Sequence, residues 1–305
     1  MKLGIFYGGD QTFEGHVQGA IDAENDGFDS VWYPQIMGQD ALTIAAVAGP
    51  KTSRIQFGTS VTPTYLRHPV AMAAQALSTN AATGGRFTLG LGLSHQPVIE
   101  AFWGLSYARP AVHMREYLTI MQSLMNGGRA DFDGEMFKVH TNILVPGAQK
   151  PQVIIAALAP VMLKTAGTLA DGTILWMTGP KTIASHVVPR LTKAAQEAGR
   201  PAPRVVTCLP VAVCDDPADA REKAARAFAI YGTLPNYQRM LNKEGVSGPA
   251  EVAIVGTEAE VEKQIRDIAS AGSTDFGAAE FPVGDDAKAS LGRTRALLKS
   301  LIGKV

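Results

Sequence analysis

Eight short runs of Val, Ile, Leu, Phe and Thr recur along this chain, and most are followed by stretches whose apolar residues step by three and four. This alternation restricts the fold more than any other feature, because the runs read as buried strands and the stretches between them as helices. Strands are expected at residues 2–8, 30–33, 55–61, 86–93, 153–157, 173–176, 205–213 and 276–283. Helices are expected at 11–26, 40–48, 68–82, 110–126, 161–170, 182–198, 217–232, 261–271 and 285–302. Short crossover helices between apolar strands make the strands parallel neighbours in a covered sheet. Eight such units in 305 residues describe an α/β fold, a (β/α)8 TIM barrel in a single domain over 1–305, with insertions after strands four and seven. A doubly wound open sheet is the alternative. It usually carries fewer strands, and no Pro/Ser-rich linker or shift in composition divides the chain.

In either fold the functional groups gather past the carboxyl ends of the strands. Two such ends stand out, Gly58-Thr59-Ser60-Val61 and Gly90-Leu91-Gly92-Leu93-Ser94-His95. The second is not a dinucleotide fingerprint, because its glycines lie within the strand's own end and the third glycine position is His95. Gly90 and Gly92 either relieve crowding or let a flat ring approach backbone that has no side chains. His95 titrates near neutrality and can move a proton.

Two loops, Ala156-Ala157-Leu158-Ala159-Pro160 and Met177-Thr178-Gly179-Pro180, each precede a helix. A helix amino terminus with free N–H groups suits an anion without a lysine. Arg67 and Lys181 are candidate counter-ions. Residues 234–249, rich in Gly, Asn and Pro, read as a loose segment over the site, and a hairpin is expected to turn at Asp133-Gly134. Asp171 and Asp275 precede strands and read as turn formers on the amino-terminal face, whereas Glu280, inside an apolar strand, reads as half of an ion pair.

Lys plus Arg equals Asp plus Glu at 28 each, so nothing suggests a polyanion or membrane surface, and nucleic acid is not an expected partner. No run approaches the roughly 20 apolar residues of a membrane span, and the amino terminus lacks a signal-type apolar core, so a cytoplasmic location is expected. Cys208 and Cys214 share one strand, about 20 Å apart, and are expected as free thiols. The six histidines are scattered at no ligand spacing, which argues against a metal site.

Val31-Trp32-Tyr33-Pro34-Gln35, Gly58-Thr59-Ser60-Val61 with Pro63, Gly84-Gly85-Arg86-Phe87-Thr88-Leu89-Gly90-Leu91-Gly92 and Ala170-Asp171-Gly172 carry a resemblance along nearly the whole chain. With them the chain resembles the bacterial luciferase-like flavin and deazaflavin enzymes, more narrowly their actinobacterial members that use coenzyme F420. The resemblance implies a bulge at Thr59, Ser60 and Val61, with a non-prolyl cis peptide at Ser60-Val61, backing the cofactor's central ring. It places Gly90, Gly92 and Ser94 beside the ring. Gln35 stands at its polar edge, where many relatives have aspartate. Ala156, Ala157, Leu158 and Ala159, with Met177, Thr178 and Gly179, would hold the phosphate and ribityl chain.

Gly8 and Ile36 would face the substrate. Ile36 stands where alcohol and sugar-phosphate dehydrogenases of this kind carry histidine, and isoleucine cannot take a proton from an alcohol. His95 aligns with an acid/base glutamate. The implied activity is hydride transfer between reduced F420 and an electron-poor organic substrate, such as an activated C=C, C=N or nitroaromatic ring. The alternatives are an FMN-dependent monooxygenase fed by a separate reductase, and a non-enzymatic cofactor-binding barrel. Relatives often pair through helices near strands two and three, so a homodimer is expected.

Overall fold

The computed structural model describes residues 1–8, 11–35 and 37–305. Eight parallel strands close into a ring: β1 (Lys2–Phe6), β2 (Ser30–Tyr33), β3 (Gln56–Thr59), β4 (Phe87–Gly92), β5 (Gln152–Ala156), β6 (Gly172–Trp176), β7 (Arg204–Val213) and β8 (Asp275–Glu280). The closing pair aligns Leu3 with Phe276 and Ile5 with Ala278. Around the ring run α1 (Phe13–Asn25), α2 (Ala41–Ala48), α3 (Pro69–Ala82), α4 (Pro110–Gly127), α5 (Pro160–Leu169), α6 (Val188–Glu197), α7 (Pro217–Ala227), α8 (Pro235–Glu244), α9 (Glu258–Ser270) and α10 (Ala287–Leu301). The barrel reading of the sequence is therefore the observed fold.

Local chemistry sets the helix starts. The Thr12 hydroxyl accepts from Gly15 N at 3.0 Å and the Asp40 carboxylate from Thr43 N at 2.7 Å, each filling an otherwise orphan donor of a first turn. After β4 the chain makes an antiparallel hairpin, Arg129–Asp133 against Lys138–Asn142. Buried Glu116 on α4 holds its turn by accepting from the N–H groups of Glu135, Met136 and Phe137 at 2.9, 2.9 and 3.1 Å.

Trp32 fills the barrel interior, with Ile154, Ile174, Val206 and Cys208 around it. Its Nε1 donates to Ser30 Oγ at 2.9 Å, and the Arg204 guanidinium lies 5.4 Å from its ring centre. Space for the indole comes from glycine: a Cβ at Gly58 would lie 2.2 Å from Trp32 Cζ3. Gly58→Ala should therefore destabilise the fold by about 1 to 3 kcal/mol, the usual cost of overpacking a filled core. A denaturant midpoint shift gives the value, and an unchanged midpoint would mean that the interior has slack.

Four segments depart from the sequence reading. Residues 234–249 are not loose: Pro235–Glu244 is a helix, opened by a proline in its first turn and ended by Gly245 at φ 83°. Helix 217–232 breaks at Phe228 into Pro217–Ala227 and Ala229–Thr233. Helix 182–198 begins earlier, as a turn at Pro180–Thr182 and a wider turn at Ile183–Val187 before α6. A ninth parallel strand, Ile254–Gly256, pairs with β7 outside the ring.

At the amino-terminal end, Asp275 is the first residue of β8 and no turn former. It takes a two-pronged contact from Arg204, at 2.9 and 2.7 Å. Asp171 accepts from Arg200 at 2.9 Å and from Val153 N at 2.8 Å. A concavity of about 730 Å³ lies at this end, lined in part by these four charged residues, whose charges are already paired with one another. It sits on the face that serves stability in a barrel, opposite the mouth. Glu280 is ion-paired with Arg295, whose Nε donates to it at 2.8 Å. Cys208 and Cys214 are both buried free thiols, and burial pushes Cys208 up to about 12.

Candidate active site

The mouth is built on the carboxyl ends of the strands. Phe6 (end of β1), Val61 (after β3), Ala156 (end of β5) and Trp176 (end of β6) pack down on the interior cluster and form an apolar floor. Phe6 and Trp176 stack with centroids 4.9 Å apart and planes 16° apart. Neither stood out in the sequence.

Beside this floor the chain leaves β3 at Thr59, turns through a cis Ser60-Val61 peptide and pairs again at Thr62 and Pro63 with Leu91 and Gly92. Thr59 Oγ1 donates to Gly90 O at 2.7 Å and accepts from Gly90 N at 2.8 Å, which ties the bulge to β4. A Cβ at Gly90 would sit 1.9 Å from Thr59 O, and one at Gly92 would sit 2.3 Å from Val61 Cγ2. The two glycines thus make room for the bulge, and what they present to the mouth is Val61.

Ser94 and Met177, just past the ends of β4 and β6, adopt φ 58° and 50°. Side chains rarely accept this left-handed region, and such residues cluster where a fold holds a functional loop. His95 follows Ser94, half-buried, its ring 5.9 Å from that of Tyr237. Burial pulls its pKa below the usual 6.5, so the ring is mainly neutral at pH 7.

The Gln35 amide sits against the bulge side, 3.4 Å from Thr62 Oγ1, with Arg67 beside it. Arg67 is ion-paired with Asp40, so its charge is already met; it is not the open counter-ion expected from the sequence. Gly8 is exposed past β1, and Ile36 lies outside the described residues.

The two anion loops differ. Ala159 leads into α5 with no side-chain cap, so the first backbone N–H groups of that helix have no side-chain acceptor at the cap position. Leu158 O accepts from His186 Nε2 at 2.8 Å, which fixes the loop. The loop after β6 is not free as expected. Buried Glu244 accepts there from Lys181 N at 3.1 Å and from Thr182 N at 2.8 Å. Lys181 is exposed, and its Nζ donates to Glu244 O at 3.5 Å.

Residues 228–244 roof the mouth. Tyr231 packs edge-on to Trp176 at 5.9 Å and to Tyr237 at 5.1 Å, so aromatic rings run in an arc from Phe6 through Trp176, Tyr231 and Tyr237 to His95. The sequence placed a cover here. It carried no signal for these tyrosines or for Glu244, whose partners lie over fifty residues away.

Residues 1–289 match the family described as luciferase-like monooxygenase. The chain belongs to that family. Among relatives, 5,10-methylenetetrahydromethanopterin reductase of Methanolobus tindarius is 28% identical over 236 residues, 77% of this chain and 72% of the relative. The coenzyme F420-dependent tetrahydromethanopterin reductase of Methanopyrus kandleri superposes with a TM-score of 0.80 at 21% identity, over 100% of this chain and 98% of the other. The oxygenating constituent of 3,6-diketocamphane monooxygenase of Pseudomonas putida, solved with FMN, superposes at 0.77 and 17% identity, over 100% and 97%. At these identities the superpositions bear on the fold alone, which a reductase named as coenzyme F420-dependent and a monooxygenase constituent solved with FMN share.

Behind the bulge of this luciferase-like barrel, His113 on α4 is buried, its ring stacked 4.1 Å from that of Tyr65 and its Nε2 3.0 Å from Thr64 Oγ1. Burial pulls its pKa down to about 4 despite the opposing pull of Glu116, and burial also lowers His95 and His186. As the pH falls through 6.5 the unfolded chain protonates these rings and the folded chain does not. The stability that these three rings contribute is therefore complete above pH 6.5 and declines towards pH 4, with His113 contributing roughly 1 to 3 kcal/mol of the loss. Denaturant midpoints between about pH 7.5 and 5 measure the decline. His113→Asn should flatten it, and an equal slope in the variant would assign the loss elsewhere.

Proposed function

We propose that this enzyme is a coenzyme F420-dependent oxidoreductase that passes a hydride between the reduced deazaflavin and an electron-poor organic substrate. The observation that carries the reading is the Thr59–Val61 bulge, locked to Gly90 and facing an apolar floor at the mouth of a luciferase-like barrel. The residues present fit such a cofactor. Val61, Ala156, Phe6 and Trp176 offer a flat apolar bed for a ring, and the Gln35 amide offers hydrogen bonds to a polar edge. The uncapped backbone at Ala157, Leu158 and Ala159 suits a phosphate. A relative named as a putative coenzyme F420-dependent oxidoreductase, from Mycobacterium tuberculosis and 38% identical over 126 residues, 41% of this chain and 36% of the relative, supports deazaflavin over FMN.

The bound cofactor supplies the hydride chemistry. The protein orients the ring against Val61, keeps water out with the aromatic roof, and places His95 to donate a proton below its lowered pKa. Gly8 lies on the substrate side in this reading. The protein works as a cytoplasmic homodimer.

Anaerobic mixing of the protein and reduced F420 with a panel of enones, imines and nitroarenes tests the function. Recovery of oxidised-F420 fluorescence with at least one acceptor is expected. Tight binding without turnover across the panel would favour the non-enzymatic barrel.

A further inference from the structure

Glu244 ends α8, the helix that roofs the mouth, and it is 7% exposed. A buried carboxylate normally faces a basic side chain, yet both its oxygens here accept from backbone: Oε1 from Lys181 N at 3.1 Å and Oε2 from Thr182 N at 2.8 Å. The contact is built from both sides. A Cβ at Gly179 would lie 2.4 Å from Glu244 Cδ, and Thr182 Oγ1 donates to Met240 O at 3.2 Å one helical turn earlier. The neighbouring loop after β5, joined to this segment by the His186–Leu158 hydrogen bond, has no such occupant. Two adjacent loops at one mouth thus differ in charge, one holding a fixed carboxylate and the other open backbone.

We infer that Glu244 is a specificity-determining residue of the cofactor site: its carboxylate fills the N–H groups after β6 and directs a ligand's phosphate to the Ala157–Ala159 loop. The inference rests on the cofactor reading above. Because the carboxylate belongs to the roof helix, the same contact sets the position of Tyr237 over His95. A phosphate at the open loop has backbone donors without an attached negative charge, whereas at the loop after β6 it would meet one.

The test compares 8-hydroxy-5-deazariboflavin with its 5′-phosphate, a pair differing by the phosphate alone, in fluorescence titrations of the full chain. Glu244→Gln keeps the side-chain volume and one acceptor oxygen while removing the charge. It should tighten the phosphorylated ligand on the order of tenfold, the scale for one unit charge nearby in a half-buried site, and leave the other within about twofold. Ala159→Asp puts a carboxylate at the open loop, at a backbone conformation (φ −74°, ψ 148°) that suits a helix cap. It should weaken the phosphorylated ligand on the order of tenfold or more, spare the other and leave the melting temperature no lower.

The proposal is overturned if Glu244→Gln shifts both ligands alike or neither, as a purely structural carboxylate would. It is overturned equally if Ala159→Asp leaves their ratio unchanged, a result that does not depend on the Gln variant folding. If neither ligand binds the wild type, the cofactor reading falls and the proposal with it.

Discussion

His95→Ala lowers the rate of hydride transfer to an acceptor roughly 100-fold at about pH 6, the usual scale for loss of one general acid, while cofactor affinity changes little. The expectation rests on position and burial. His95 follows the left-handed Ser94 just past the end of β4, its ring half-buried beside Tyr237, at the same end of the barrel as Phe6, Val61 and Trp176. Its lowered pKa fixes the sign of the pH dependence. A donor must carry its proton, so the wild-type rate should be highest below the His95 pKa, itself under 6.5, and fall as the pH rises through it. The variant should show a low rate without that limb. Single-turnover oxidation of reduced F420, read across about pH 5 to 9, makes the comparison. An unchanged rate and profile would give His95 a packing role and leave water or the substrate as the proton source.

Gly92→Val is expected to weaken F420 binding on the order of 100-fold, because the new Cβ would lie 2.3 Å from Val61 Cγ2 and must push the bulge out of place. Displacing the surface that backs the ring by overpacking costs about 3 kcal/mol at the upper end, which converts to that factor. The clash is with the protein itself, so the melting temperature should fall a few degrees as well. Gly292→Ala on α10 is the control, since a Cβ there meets nothing within 4 Å and should alter neither binding nor melting. Normal cofactor binding by Gly92→Val would place the ring elsewhere in the mouth.

The barrel was legible in the sequence because its signals are local. Apolar strands repeat with amphipathic helices, a pattern that each segment carries whatever surrounds it. The strand ends carrying Thr59, Ser60, Val61, Gly90 and Gly92 were legible through their glycines, but the reason for those glycines was not. That Gly90 yields to Thr59 O and Gly58 to Trp32 is a fact of neighbouring strands in register, which no single segment contains.

The same limit hid the roof. Pro235–Glu244 has Gly, Asn and Pro at its ends, which suggested a loop. Its helix is held by what Tyr237 and Glu244 touch, namely Tyr231, His95 and the N–H groups of Lys181 and Thr182. Asp275 shows the converse, a residue type common in turns that is recruited into a buried pair with Arg204 because strands β7 and β8 lie side by side.

The proposed occupant of this luciferase-like mouth is a deazaflavin. Fluorescence titration of the wild-type protein with coenzyme F420 and, separately, with FMN tests it most directly. F420 should bind at least about tenfold more tightly, a difference of roughly 1.4 kcal/mol. Tighter binding of FMN would contradict it and move the enzyme to the flavin monooxygenases of the same fold.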